Sequence, residues 1–227
     1  MAPAIQIENL SFSYNKHDKI LDIDSFQVES GEHVFLHGPS GSGKTSLLAL
    51  ISGITAAQSG KLSVLGTDLA QLSLRQRDRF RGENLGYIFQ MFNLIPYLNV
   101  RENILLPLKM NPKKRQNCPD PESELSFLLD NLELGQLSTR PVSELSIGQQ
   151  QRVAAARSLI GSPPLIIADE PTSALDYDNR ERFIELLFRS AKKSQATIVF
   201  VSHDHSLAKL FPRNVPLTSI NRAGAKS

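Results

Sequence analysis

The sequence predicts an α/β protein with a largely parallel sheet covered on both faces by helices, and three observations support this class. A fully apolar segment at residues 165–168 and a second apolar segment at residues 196–201 alternate with segments of helical periodicity such as residues 179–193. Strands that are apolar along their whole length are typical of parallel sheets buried on both faces. A glycine-rich loop at residues 38–45 joins a predicted strand to a predicted helix. The 227 residues are enough for one large domain.

The elements before residue 91 follow from alternating apolar residues and from glycines that end them. The predicted strands lie at residues 5–10, 20–28, 33–37, 60–66 and 85–89, and the predicted helix at residues 44–52 ends at Gly53.

From residue 91 the pattern changes, because prolines punctuate helical stretches up to about residue 160. Residues 123–132 carry leucines at helical spacing. The sequence therefore predicts one domain over residues 1–227, with a core at about 1–90 and 161–227 and a helical subdomain at about 91–160. In the C-terminal tail, residues 211–227, we expect one edge strand near residues 215–220.

Composition argues against several classes of protein. The net charge of +2 gives no support for a basic stripe that binds nucleic acid or an anionic membrane surface. Cys118 is the only cysteine, so an intrachain disulfide is impossible. No apolar stretch approaches the roughly 20 residues needed to span a bilayer. If the protein serves a membrane machine, we expect the spanning part to be another chain.

The segment GPSGSGKT at residues 38–45, called the phosphate loop below, predicts a nucleotide triphosphate site. Its glycines let the backbone point successive N–H groups at phosphate oxygens, and the following helix adds the positive end of its dipole. Lys44 is expected to reach the β- and γ-phosphates, and the Thr45 hydroxyl is expected to ligate Mg²⁺.

Asp169 and Glu170 end a predicted buried strand. Ligands of parallel sheets gather at the carboxyl ends of strands, which places this pair beside the phosphates. Asp169 is expected to hold Mg²⁺ through water, and Glu170 to polarise the attacking water.

The signature segment, residues 145–152 (LSIGQQQR), has two interpretations. Ser146 and Gln149 have the spacing of a capping box, so the segment is in one interpretation a well-capped helix start. In the other, the capped end binds a γ-phosphate. The first interpretation does not explain Gly148, which weakens an early helical turn.

These motifs together resemble the nucleotide-binding subunit of ATP-binding-cassette (ABC) transporters over nearly the whole chain. Residues 38–45 match the Walker A motif, 165–169 the Walker B motif and 173–176 (SALD) the D-loop. The resemblance implies a P-loop NTPase (RecA-like) core with an N-terminal antiparallel β subdomain and a helical insert subdomain. It implies ATP and Mg²⁺ as cofactors.

The resemblance assigns a role to each matching residue. The catalytic residues are Glu170, His203, as the switch histidine, and Lys44; the Mg²⁺ ligands are Thr45, Gln90 and Asp169. The nucleotide contacts are Tyr14, Gly38, Pro39, Ser40, Gly41, Ser42, Gly43, Lys44, Thr45, Ser46, Gln90, Ser146, Gly148, Gln149 and Asp176. For Tyr14, stacking on adenine and ordinary strand packing remain equal alternatives.

Ile147 departs from the family pattern, which usually has glycine at this third signature position. A β-branched residue avoids positive φ but can occupy the first turn of a helix. We therefore expect weaker or slower closure rather than an inactive site.

The resemblance also implies partners and a location. Two copies would sandwich two ATP molecules and drive integral membrane permease subunits encoded separately, at the cytoplasmic face of the membrane. The apolar segment 91–97 (MFNLIPY) matches the groove that accepts a coupling helix. Residues 89–107 look most like the lipoprotein-releasing, macrolide-efflux and cell-division ATPases. No nucleic acid partner is expected.

Two other hypotheses stay open from the sequence. One is a soluble ABC ATPase that acts on nucleic acid or ribosomes. Such proteins usually carry two cassettes, a long coiled coil or a metal-binding insert, whereas this sequence has one cassette and none of those features. The other is a nucleotide-gated scaffold with weak hydrolysis, for which Ile147 is the only support. Cargo and direction of transport are not encoded in these residues.

Overall fold

A computed structural model of the chain describes residues 2–15, 18–173, 175 and 177–224. The chain forms two compact units. The first unit consists of Met1–Arg81 and Thr197–Ser227, and the second unit consists of Gly82–Ala196.

The first unit contains a four-stranded antiparallel sheet in the order β2-β1-β4-β5. Its strands are β1 (Ile5–Ser13), β2 (Lys19–Val28), β4 (Ser59–Val64) and β5 (Thr67–Asp68). In β1, Ile5, Ile7, Leu10 and Phe12 are buried, and Ile5 pairs with Val28. The alternation of apolar and polar residues thus gives this sheet one buried face.

The first unit also contains parallel strands. They are β3 (His33–His37), β8 (Thr197–Ser202) and β9 (Arg213–Pro216), with β3 between the other two. The unit's helices are α1 (Lys44–Ile51), most of α2 (Leu74–Asn84) and the one-turn α8 (Leu217–Ile220). The rings of Phe35, Phe200 and Phe211 form its aromatic core, with centroids 5.1 to 6.1 Å apart.

The second unit pairs two parallel strands, β6 (Leu85–Ile88) and β7 (Leu165–Asp169), with Ile88 opposite Ala168. Its helices are α3 (Val100–Met110), α4 (Pro112–Asn117), α5 (Pro121–Asn131), α6 (Ile147–Leu159) and α7 (Tyr177–Ala191). Alanines on α6 are fully buried, so this helix packs closely against its neighbours.

The described structure confirms the α/β class and most predicted elements. The two-residue strand β5 was not predicted, and two larger differences occur. Helix α2 was not predicted, because Phe80 is its only buried residue and its sequence has little apolar periodicity. The predicted edge strand at residues 215–220 is instead strand β9, which ends at Pro216, followed by helix α8. None of the described helices is long and apolar enough to cross a bilayer.

Candidate nucleotide-binding site

The phosphate loop lies in the first unit between β3 and α1. Gly41 has φ +79°, and no atom outside Gly41 and its two chain neighbours lies within 4 Å of the position where a Cβ would stand. Pro39, Ser40 and Gly41 are exposed, whereas the Ser42 Oγ is buried and has no hydrogen-bond partner. The loop therefore leaves space on one side and carries an unsatisfied polar atom, as an anion cradle requires.

The first turn of α1 adds donors to this loop. Its N-cap is Gly43 in a left-handed conformation with φ 100°, no side chain caps the helix, and no acidic residue lies in the first turn. The Lys44 Nζ donates to the Gly38 carbonyl at 2.8 Å and to the Pro39 carbonyl at 3.0 Å. Because an ammonium has three protons, one remains available to a phosphate. The exposed Thr45 hydroxyl is an oxygen donor of the kind that Mg²⁺ prefers.

Two more of the predicted residues lie near this loop in the first unit. Ser46 is buried, and its hydroxyl donates to the Tyr14 hydroxyl at 3.4 Å. Tyr14 is 65% exposed, and its ring packs edge-to-face with the Phe12 ring at 4.9 Å between centroids, so the residue is accessible for stacking. His203 follows β8, and since His37 pairs with Ser202, His203 and the phosphate loop leave the sheet at one edge.

The second unit places Gln90, Asp169 and Glu170 at one edge of the β6–β7 pair. Ile88 lies opposite Ala168, so both chains leave the strands together. Glu170 has φ 48°, a left-handed conformation that is costly for a residue with a Cβ. Strain of this kind is concentrated at functional sites, which supports a chemical role for the carboxylate.

Two residues in this region were missed by sequence reasoning. The first is Tyr87. Burial of its phenol raises the pKa of this group, and the nearby charge of Asp169 raises it further to a smaller extent. The Arg157 guanidinium of α6 donates to the carbonyls of Phe92 at 2.5 Å and Asn93 at 2.7 Å. Both carbonyls belong to left-handed residues just after Gln90, with φ 58° and 49°. Arg157 thus fixes the segment after Gln90 to α6, a contact that no local sequence pattern reveals.

The predicted capping box of the signature segment is confirmed. The Ser146 hydroxyl accepts from the Gln149 N–H at 3.3 Å, and the Gln149 side chain accepts from the Ser146 N–H at 2.9 Å. Ile147 is the first residue of α6 and is 52% exposed, which agrees with the first-turn position expected for it. A Cβ on Gly148 would meet only Leu175, at 3.7 Å, an ordinary contact. Nothing in the described chain therefore requires glycine at residue 148.

The structure brings the predicted residues into two groups, one in each unit. Asp176, predicted to contact nucleotide, lies outside the described residues. Within the first unit, the open loop with its lysine, the helix N-terminus without a cap and the Thr45 hydroxyl fit the phosphates of ATP with Mg²⁺. Within the second unit, the Asp169 carboxylate is of the oxygen type that Mg²⁺ prefers.

Comparison with known proteins identifies the family of this chain. A family model described as ABC transporter matches residues 21–173. A lipoprotein-releasing system ATP-binding protein LolD from Porphyromonas gingivalis is 35% identical over 204 residues, which cover 90% of this chain and 91% of that protein. A bacitracin export ATP-binding protein BceA from Halalkalibacterium halodurans is 37% identical and covers 88% of this chain and 79% of its own length.

Solved structures give the same result for the fold. The dimeric structure of MJ0796, a bacterial ABC transporter cassette, has a TM-score of 0.78 and 31% identity and covers 93% of each chain. A dimeric post-hydrolysis state of the same cassette, bound to ADP and Pi, has a TM-score of 0.77 and 30% identity. The chain belongs to the ABC transporter family and has the P-loop cassette fold. It is an ATP-binding and ATP-hydrolysing subunit of a transporter of this family.

Proposed function

We propose that two copies of this chain close around two ATP molecules, each held between the phosphate loop of one copy and the signature segment of the other. The single observation that carries the proposal is the pair of helix N-termini. Helix α1 begins without a cap beside an open loop, and α6 begins with the exposed Ser146 and Ile147. No contact within the described residues requires glycine at position 148, so we infer that the missing side chain lets the nucleotide of the second copy approach the helix start. The whole chain works as one ABC ATPase domain, with residues of about 91–160 as its helical subdomain.

The chain's own residues then divide the chemistry. Lys44 and the first-turn amides of α1 bind the β- and γ-phosphates, and Tyr14 stacks on the base. Mg²⁺, held by Thr45, Gln90 and Asp169, neutralises phosphate charge when it is bound. Glu170 accepts a proton from the attacking water, and His203 contacts the γ-phosphate. Loss of that phosphate removes the contacts made by Ser146, Gly148 and Gln149, so the dimer opens.

The membrane partner is expected to dock on the segment at residues 91–97. Met91 is 81% exposed and Tyr97 is 83% exposed, which is unusual for such large apolar side chains. The two relatives described above are named for lipoprotein release and for bacitracin export. We infer that this chain binds separately encoded permease subunits at the cytoplasmic face of a membrane, in an export or release system.

A co-purification experiment tests this docking. A tagged chain is extracted from membranes in mild detergent, and the bound proteins are identified by mass spectrometry. A four-helix membrane subunit with a large outer domain supports the release and export function. A many-helix permease supports a transporter but contradicts the release and export function. Recovery with ribosomes or DNA contradicts the membrane proposal. These outcomes also decide between the transporter and the nucleic acid hypothesis.

A matched pair of variants locates the docking surface. Met91→Glu together with Tyr97→Glu should abolish capture of the membrane subunit while ATP binding persists. Met110→Glu is the control, because Met110 is 76% exposed on the same unit but lies outside the segment. Equal capture by both variants would show that the partner docks elsewhere.

A further inference from the structure

The side chain of Asn221, in the tail after helix α8, joins three segments of the first unit. Asn221 is 5% exposed. Its amide nitrogen donates to the Ile20 carbonyl of β2 at 2.9 Å and to the Ser42 carbonyl of the phosphate loop at 3.1 Å. Its oxygen accepts from the backbone N–H groups of Asp22 at 2.8 Å and Ala223 at 3.1 Å.

The carboxamide of Asn221 uses its full hydrogen-bonding capacity. An asparagine side chain has two N–H donors and an oxygen that accepts two bonds, and each has a backbone partner here. A buried amide that is fully satisfied fixes the position of its partners, since any shift leaves a polar group without a bond.

Close packing reinforces this contact at the start of α1. A Cβ on Gly43 would lie 2.8 Å from Leu21 Cδ2, 3.2 Å from the Ile20 carbonyl and 3.5 Å from Asn221 Nδ2. A Cβ on Gly38 would lie 3.5 Å from Leu217 Cβ of the tail. The phosphate loop is therefore packed against β2 and against the tail, with Asn221 as the polar link.

We propose that Asn221 is a positioning residue for ATP binding: it holds the Ser42–Gly43 peptide in the orientation in which the loop amides face the phosphates. The proposal rests on the proposed ATP site and gives the tail a role in it. Asn221 touches the loop from its packed side and makes no contact with ATP itself.

Two substitutions at Asn221 test the proposal by equilibrium binding of MgATP to the full chain. Asn221→Ala removes the one hydrogen bond that reaches the loop, and we expect ATP affinity to fall by about 3- to 10-fold, the range for the loss of one hydrogen bond. Asn221→Asp should weaken binding more, because it sets carboxylate oxygens against the Ser42 and Ile20 carbonyls. In steady-state turnover the KM for ATP should rise while kcat at saturating ATP changes little.

The control variant is Arg222→Ala, which loosens the same tail without touching the loop. Arg222 is exposed and forms ion pairs with Asp22 and Asp24 of β2. The Arg222→Ala variant should bind ATP with the same affinity as the unaltered chain. A folded Asn221→Ala protein with unaltered ATP affinity, or an equal loss in Arg222→Ala, would overturn the proposal. If the unaltered chain itself fails to bind ATP, the proposed function fails instead.

A second measurement needs no substitution and therefore does not depend on the variants folding. Hydrogen exchange of the Asp22 and Ala223 amides, which donate to Asn221, is followed with and without MgATP. Because coupling between sites is reciprocal, ATP should slow the exchange of both amides. Unchanged exchange at both amides under saturating ATP would contradict the role assigned to Asn221.

Discussion

The N-termini of α1 and α6 are both expected to face phosphate, yet they are built differently. Helix α1 begins at a glycine in a left-handed conformation, with no side-chain cap and no acidic residue in its first turn. Helix α6 begins with a complete capping box formed by Ser146 and Gln149.

This difference indicates a division of labour. Because the first-turn amides of α1 have no cap, α1 and its loop form an anion site within a single chain. The capping box already satisfies two N–H groups at the start of α6, those of Ser146 and Gln149, so we expect α6 to bind phosphate alone less well than α1 does. Under the proposed mechanism, α1 and its loop determine the affinity for ATP, and α6 determines how readily two copies form a dimer around the bound ATP.

The largest expected effect is in Lys44→Ala, on the α1 side. Loss of one hydrogen bond to a charged group costs about 1.5–3 kcal/mol, so ATP affinity should fall by roughly 10- to 150-fold. Lys61→Ala is the control, since Lys61 is a half-exposed lysine of the first unit that pairs with Glu8. Calorimetric titration with MgATP measures both. Equal affinities would exclude Lys44 from the site.

Lys114 of the second unit is buried, unlike Lys44 of the phosphate loop. Lys114 is 4% exposed and donates to the Leu85 carbonyl at 2.7 Å, and burial lowers its pKa to about 8 from 10.5. The unfolded chain binds this proton more tightly, so the free energy of unfolding should rise by about 3 kcal/mol as pH rises from 8 to 10.5.

Lys114→Met should remove this rise and increase stability at pH 7. Urea unfolding at several pH values measures the difference between the variant and the unaltered chain, so other groups that titrate in this range cancel. Parallel curves of stability against pH would contradict a low pKa for Lys114. ATP affinity, set by α1, should not change with this substitution.

Ser146→Ala tests the α6 side directly. Loss of an N-cap destabilises a helix by about 1 kcal/mol, which should lower the thermal midpoint by a few degrees. ATP binding to the single chain should persist, but turnover should drop because closure is weakened. Ser143→Ala, an exposed serine three residues earlier, is the control. A large loss of ATP affinity in monomeric Ser146→Ala would contradict the division of labour.

The smallest effect is expected at Ile147. Because Ile147 occupies the first position of α6 and is half exposed, it does not disturb the helix but adds bulk at the closing surface. We expect turnover in Ile147→Gly to rise a few-fold. Ile147→Ala removes bulk without adding backbone freedom, so it should give most of the same rise. A fall in rate in both variants would show that Ile147 assists closure.

Much of the structure at the starts of α1 and α6 was predictable, because it is formed by residues that are close in sequence. The strand, loop and helix around residues 38–45 were placed correctly, and the capping box was predicted down to Ser146 and Gln149. The conformation of Glu170 was not predictable, since no sequence rule places a glutamate at φ 48°.

Contacts between distant segments could not be predicted. Asn221 reaches Ser42 across 179 positions, and Arg157 reaches Phe92 across 65. Both bonds go to backbone carbonyls, which any residue supplies, so no pairing of residue types announces them. Helix α2 was missed for a different reason: its charged sequence contributes one buried side chain, and apolar periodicity is the main indicator of a helix.

The measurement that tests the central claim most directly is the molecular mass of Glu170→Gln in solution, by light scattering, with MgATP and with MgADP. Without the base, ATP should bind but not be hydrolysed, so the account predicts dimers with ATP and monomers with ADP. Adding Ser146→Arg to this variant should return it to a monomer that still binds ATP. A Glu170→Gln protein that stays monomeric at saturating ATP would contradict the ATP-sandwich dimer.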